Sequence, residues 1–229
     1  MPWTPEQAGA VRHALPDWYQ AMATLPAGCG LRQGEVFGLA VEDVDFLRGV
    51  VHVRRQVKLV GGRQLFAPPK GRKVRDVPLP ETVALELAAH LQTWPAATIA
   101  LPWEDASGPL PSAELVLSTR ETTALQRNYV NARVWKPALV AAGLEPSREN
   151  GMHALRHFYA SVLLDAGESV RALAEYLGHA DPGFTLRVYT HLMPASEERT
   201  KRAVDQALRG VGLVDGSTRC ARNVHGEAL

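Results

Sequence analysis

Residues 153–189 read HALRHFYASVLLDAGESVRALAEYLGHADPGFTLRVY, and three short pieces of that stretch carry most of the reading. His153-Ala-Leu-Arg156-His157 opens a segment with helical apolar spacing, Leu177-Gly178-His179 ends a second, and Tyr189 follows His179 by ten residues. On a helix, His153 projects to the same side as Arg156 and His157, three and four positions on. Gly167 closes the first helix, Ser169 caps Val170 to Leu177, and Gly178 ends it. Asp181-Pro182 is a cap-plus-proline start for a short helix that carries Tyr189.

Upstream, Thr4-Pro5-Glu6-Gln7 combines an N-cap, a proline at the first helical position and a capping-box glutamine. It predicts a helix running to about Ala23. Gly28 and Gly30 interrupt the chain, and Leu31 to Leu39 reads as a second helix with Arg32 in its first turn and Glu35 one turn on. Val50 to Val60 alternates and is β-branched, and Gly61-Gly62 signals a hairpin. Leu65 to Pro68 and Val74 to Leu79 complete a small three-stranded antiparallel sheet. Helices resume at Glu81 to Trp94, where Val83, Leu87 and Leu91 share a face. Pro95 to Ser112 reads as a loop-like insertion, and Arg127 to Ala142 as a helix bent by Pro137 and closed by Gly143. A last helix runs from Ser196 to about Leu208 with Ala203, Val204, Ala207 and Leu208 apolar, and 211–229 reads as a loose tail. The class is α+β, mainly α-helical with one small sheet.

Across 229 residues, 46% hydrophobic and 21% charged composition describes an ordinary globular chain. No apolar run approaches the roughly 20 residues needed to span a bilayer, and the N-terminus lacks the basic and apolar regions of a signal peptide. No membrane association is expected, and the cytoplasm is the expected compartment. Cys29 and Cys220 give neither a disulfide framework nor metal-ligand spacing. A net charge of +1 argues against a nucleic-acid partner, but its distribution argues for one: from Arg48 to Arg75 there are nine Lys/Arg and no Asp or Glu. A basic stripe free of acids suits phosphate contacts. Arg54, Arg55, Lys58, Arg72, Lys73 and Arg75 are the candidate DNA-binding residues.

Taken together, Gly30-Leu31-Arg32-x-x-Glu35, His153-x-x-Arg156-His157, Leu177-Gly178-His179 and Tyr189 resemble the catalytic domain of the tyrosine recombinases, the phage-integrase family. The likeness extends from about Thr4 to Leu208. It implies the recombinase catalytic fold over residues 1–210 and a site-specific DNA recombinase or integrase. Such an enzyme cleaves and rejoins strands through a 3′-phosphotyrosyl intermediate, with no cofactor, neither ATP nor metal. Its partners would be double-stranded DNA at attachment sites and, at full length, three further copies in a DNA-bound homotetramer. In that family a helical DNA-clamping domain precedes the catalytic one, and none is expected before Thr4.

The chemistry explains the residue types. A phosphodiester needs cations on its nonbridging oxygens, a proton for its leaving oxygen and a placed nucleophile. By resemblance Arg32 and Arg156 are the clamps, a role that suits a planar, permanently charged fork. Lys70, eight residues before Pro78, would protonate the leaving 5′-oxygen, with Lys73 as its rival in the same turn. His153 would move protons and bind phosphate, His179 would be a second phosphate ligand, and Tyr189 the nucleophile. Tyr129, Tyr159 and Tyr176 are rivals by type alone. Glu35 would orient the arginine and the histidine, and His157 would lie buried beside the site. Three alternatives remain: a type IB topoisomerase, a zinc hydrolase using His153, His157 and His179, and an idle integrase remnant that only binds DNA. For the hydrolase, Ala154 stands where His-Glu-x-x-His needs its glutamate.

Overall fold

The computed structural model describes residues 2–179, 181–189 and 197–210. It divides into two compact units, Met1–Leu192 and Met193–Leu229. In the first, α1 (Pro5–Ala14) begins at the expected capping box: Thr4 Oγ1 accepts from the Gln7 backbone and Gln7 Oε1 from the Thr4 backbone. It does not reach Ala23. The chain leaves the helix at Leu15, and Pro16 leads into a single 3-10 turn, Asp17–Tyr19, before α2 (Ala21–Cys29). A short α3 (Gln33–Phe37) follows, with Arg32 as its N-cap rather than inside its first turn.

The sheet differs from the expectation in register and partners. The run Val50–Val60 breaks at Arg54-Arg55 into two strands belonging to different sheets. One sheet contains β1 (Val44–Asp45), β2 (Val50–Val53) and β5 (Arg75–Pro78), all antiparallel, with Val51 opposite both Val44 and Val77. The other is the hairpin of β3 (Gln56–Val60) and β4 (Arg63–Ala67), turned by Gly61-Gly62 as expected. Alternation alone does not distinguish one long strand from two short ones that change sheets. The segment read as a loop also holds structure: β6 (Ala97–Ala100) pairs antiparallel with β7 (Ser112–Leu115).

Between β5 and β6 lies α4 (Glu81–Thr93), with Val83 and Leu87 buried. Then α5 (Arg127–Val130) widens into a π turn over Asn131–Trp135 and continues as α6 (Lys136–Ala141). The π turn sits immediately before Pro137, whose missing N–H interrupts the regular ladder. Trp135 donates from its indole to the carbonyl of Asn150, 2.8 Å away, which anchors the loop leading into α7 (His153–Asp165). Ser169 caps α8 (Val170–Leu177), Gly178 ends it in the left-handed region, and α9 (Pro182–Tyr189) carries the tyrosine.

The main core joins α1–α7 and the strands, and a smaller cluster of Tyr159, Ala160, Leu164, Leu173, Leu177 and Tyr189 binds α7, α8 and α9. In the second unit α10 (Glu197–Gly210) matches the expected last helix. The tail expected at 211–229 lies outside the described residues.

Gly30 links the two clusters. Its φ is +63°, and a Cβ there would lie 2.5 Å from the buried Tyr159 ring and 3.1 Å from Leu177. Gly30→Ala should therefore cost roughly 1–2 kcal/mol for the left-handed backbone and about 1–3 kcal/mol for overpacking. The urea midpoint should drop with an unchanged slope; an unmoved midpoint would show that this junction yields.

Candidate active site

The C-terminal ends of two helices point at one guanidinium. Arg156 on α7 is 1% exposed. Its Nη1 donates to the carbonyl of Gly30, which ends α2, at 2.5 Å, and its Nη2 donates to the carbonyl of Leu177, which ends α8. Helix C-termini carry partial negative charge, so both ends favour the cation. Nη2 also lies 3.2 Å from Nε2 of His179, placed there by the left-handed turn at Gly178. Burial, then the charge of Arg32, pulls the Arg156 pKa down to about 9, still above neutral.

A second buried arginine shapes the site, and it corrects an expectation. Arg75 is not on the DNA-facing surface; its side chain is 2% exposed and forms a two-pronged pair with Glu35, at 3.0 and 2.7 Å. Its Nε donates to the Tyr176 carbonyl at 2.6 Å. The register of β5 turns it inward, opposite Val53, where a run of basic residues gives no hint of burial. Glu35 serves Arg32 as well: Arg32 Nη1 donates to Oε1 at 2.9 Å, and the Arg32 backbone N–H to Oε2 at 2.8 Å. Burial alone would raise the Glu35 pKa, but Arg75 and then Arg32 overturn it and hold it at about 2. Glu35 thus hydrogen-bonds Arg32 and Arg75 and ties α3 to β5, and no Glu35–histidine hydrogen bond is present among the described residues.

His153 is exposed, yet desolvation by its neighbours, followed by the charges of His157, Arg156, Arg32 and Lys70, lowers its pKa to about 4. His179 is lowered to about 4 by burial first and then Arg156, Arg32 and Arg75. Both are neutral at pH 7. His157 stacks edge-on against His153 at 4.7 Å and lies 5.4 Å from the Tyr189 ring, so it sits between the two rather than apart from them. Tyr189 is 2% exposed. Burial raises its pKa, opposed by Arg156 and Arg32, the cations that would stabilise its phenolate. Of the rival tyrosines, Tyr129 is 52% exposed, whereas Tyr159 packs in the same α7–α8–α9 cluster as Tyr189, with Tyr176 against it.

The turn Lys70–Arg72 lies between β4 and β5. Lys73 is held there, donating to the His179 carbonyl at 3.1 Å. Lys70 is exposed and has no hydrogen bond or ion pair among the described residues, although its charge reaches His153. The rest of the basic stripe is partly neutralised from outside the run: Arg54 pairs with Asp43, Arg55 with Glu42 and Asp43, and Arg72 with Glu104. Lys58 lines an open groove of about 930 Å³ that includes Arg32 and His153. Arg127, Lys136 and Arg148 line it too. The sequence reading missed these three, because single cations on separate helices and loops form no run. Among the described residues, no group of three His, Cys, Asp or Glu is placed to hold a metal ion, and no helix is long and apolar enough to cross a membrane.

Residues 4–196 match the phage integrase family. The chain belongs to that family. It is 30% identical over 194 residues to the XerC-like tyrosine recombinase of Caldanaerobacter subterraneus, covering 76% of this chain and 46% of that one. It is 33% identical over 176 residues to tyrosine recombinase XerA of Thermococcus kodakarensis, covering 75% and 51%. The chain thus spans about half the length of the curated relatives it matches. The solved Tn1549 transposon integrase, in complex with circular intermediate DNA, shares the fold with a TM-score of 0.72 at 21% identity, over 89% of this chain and 67% of that one. For the catalytic domain of bacteriophage HP1 integrase the TM-score is 0.55 at 18% identity, over 87% and 92%. The recombinase catalytic fold expected from the sequence is the fold observed.

The acid behaviour of this phage integrase family domain follows from Glu35 and the two histidines. Glu35 falls from 4.5 to about 2 on folding, so its contribution is complete above about pH 4.5 and lost as pH falls toward 2. His153 and His179 fall from 6.5 to about 4, so acid begins to favour the unfolded chain below about pH 6.5. Glu35→Gln should cost about 3–5 kcal/mol at neutral pH by leaving Arg75 buried without its partner. It should also flatten the loss of stability between pH 4.5 and 2. Urea melts across pH test both, and an unchanged acid limb would remove Glu35 as its source.

Proposed function

We propose that this chain is the strand-transfer domain of a site-specific tyrosine recombinase or integrase. The Tyr189 hydroxyl attacks a DNA phosphodiester, forming a 3′-phosphotyrosyl bond and releasing a 5′-hydroxyl. The observation that carries this is the Arg156 node. One guanidinium, fixed by two helix ends, touches His179, and its charge acts on the phenol of Tyr189. Nε of Arg156 is buried with no partner among the described residues, so the carbonyls and His179 leave this cation incompletely satisfied and a nearby anion would be favoured. Arg32 presents the second fork at the groove.

Protons follow from the same arrangement. Neutral His153, which His157 joins to Tyr189, is a proton acceptor beside the phosphate path. Lys70 is the ammonium free to give a proton to the leaving oxygen, since Lys73 is engaged by the His179 carbonyl. The groove cations Lys58, Arg127, Lys136 and Arg148 track the DNA backbone, with Arg54, Arg55 and Arg72 behind acidic partners. Recombination by the whole protein takes a DNA-bound tetramer, and the apolar Val204, Ala207 and Leu208 of α10 are candidates either for docking between copies or for packing on their own domain.

The test is a pool of nicked random-sequence duplexes incubated with the chain. The wild type should form a denaturant-resistant protein–DNA adduct, and Tyr189→Phe should form none while retaining its fold and DNA affinity. An adduct in that variant would remove Tyr189 as the nucleophile.

Lys70→Ala should slow cleavage far more on ordinary DNA than on DNA with a bridging 5′-phosphorothiolate, because a thiolate leaves without a proton. Equal slowing on both substrates would sink the assignment.

A further inference from the structure

His179 is held at both ring nitrogens, and the two contacts together fix its tautomer. Arg156 Nη2 lies 3.2 Å from Nε2. A guanidinium N–H only donates, so Nε2 must carry the lone pair. A neutral imidazole then has its proton on Nδ1. Nδ1 lies 2.6 Å from Oγ1 of Thr185, which is therefore the acceptor. The opposite assignment, with Thr185 donating, would leave the ring with no proton at all.

Thr185 is 1% exposed, so water does not substitute for it. It lies on α9 four residues before Tyr189, and the two side chains share a face. The groups facing the His179 ring are Arg156 from α7, Arg32 before α3, Arg75 from β5, His153 from α7 and the Phe184 ring at 5.0 Å. Lys73 engages its carbonyl. Among these, Thr185 accepts the ring's proton.

We propose that Thr185 is a positioning residue: in the DNA-free protein its hydroxyl accepts the Nδ1 proton of His179, which presents the Nε2 lone pair to Arg156, and it sets the register of the tyrosine helix against the phosphate site. His179 binds a phosphate oxygen through Nε2 only once that nitrogen takes up a proton. The tautomer stands on the hydrogen bonds alone; its catalytic consequence rests on the strand-transfer reading.

Thr185→Val keeps the shape and removes the acceptor, whereas Thr185→Ser keeps the hydroxyl. In nitrogen-15 histidine spectra of the free protein, wild type and Thr185→Ser should show a slowly exchanging Nδ1 proton on His179, absent from Thr185→Val. Assignment comes from its loss in His179→Gln. On the nicked duplexes, Thr185→Val should form adduct about 10–100-fold more slowly at saturating DNA, the loss seen when the outer partner of a metal-ligating histidine is removed. Its DNA affinity should be unchanged, and Thr185→Ser should restore the rate. A proton on Nε2 in the wild type, or an Nδ1 signal that persists in Thr185→Val, overturns the proposal. So does a slowed Thr185→Val that Thr185→Ser does not rescue, which would mean a packing role. Absence of any adduct from the wild type would instead overturn the strand-transfer reading and the catalytic half of this one, while the spectra still judge the tautomer.

Discussion

The centre of this domain is a cluster of three guanidinium groups around one buried carboxylate, with Arg75 and Arg156 buried and Arg32 half-buried at the groove. Arg32, Arg75 and Arg156 act on one another, and Glu35 is the anion among them. Glu35 pairs with Arg75 and Arg32, so Arg156 is left without a carboxylate of its own in a poorly solvated place, which ordinarily costs several kcal/mol per ion. The fold meets part of that cost with dipoles rather than charges: the carbonyls of Gly30, Tyr176 and Leu177 accept from the arginines. It meets more by holding His153 and His179 neutral. A bound phosphate oxygen would relieve what is left, which is the electrostatic support for the proposed phosphate site.

That constraint orders the architecture around it. Helices α2 and α8 must end at Arg156, which requires left-handed residues at Gly30 and Gly178. Helix α3 must begin where Glu35 can reach both Arg32 and Arg75. Strand β5 must then present Arg75 inward while the preceding turn leaves Lys70 outside. The candidate site draws its members from several separate elements, as a site that has to surround a phosphate would.

Much of this was legible in the residues. The helical spacing of His153, Arg156 and His157, the glycine after Leu177, and the caps at Thr4 and Ser169 are local signals, and local physics decides them. What was not legible depends on partners distant in sequence. Arg75 sits in a basic run and reads as surface, but pairing of β5 with β2 turns it toward Glu35, forty positions away in sequence. The break at Arg54-Arg55 has no glycine or proline to announce it. Thr185 is an ordinary helix threonine until His179 folds back against it. Arg127, Lys136 and Arg148 become a groove wall only when α5, α6 and the loop before α7 are packed.

Rigidity divides the labour among the cations. Arg156 and Arg75 are locked by carbonyls and a carboxylate, and neither can follow a moving group. Fixed charges suit the nonbridging oxygens, which change position least as the phosphorus is attacked, and fixed dipoles need no reorganisation in the transition state. The leaving oxygen moves away, and the group that meets it must be free to move. Lys70, exposed on a turn with no hydrogen bond among the described residues, has that freedom, whereas Lys73 does not. In the proposed reaction, a proton lost by Tyr189 toward neutral His153 and one given by Lys70 would leave the net charge of the protein and phosphate unchanged until the strand departs. In a cluster already carrying excess positive charge, a sequence that keeps the charge constant avoids the largest barrier available to it.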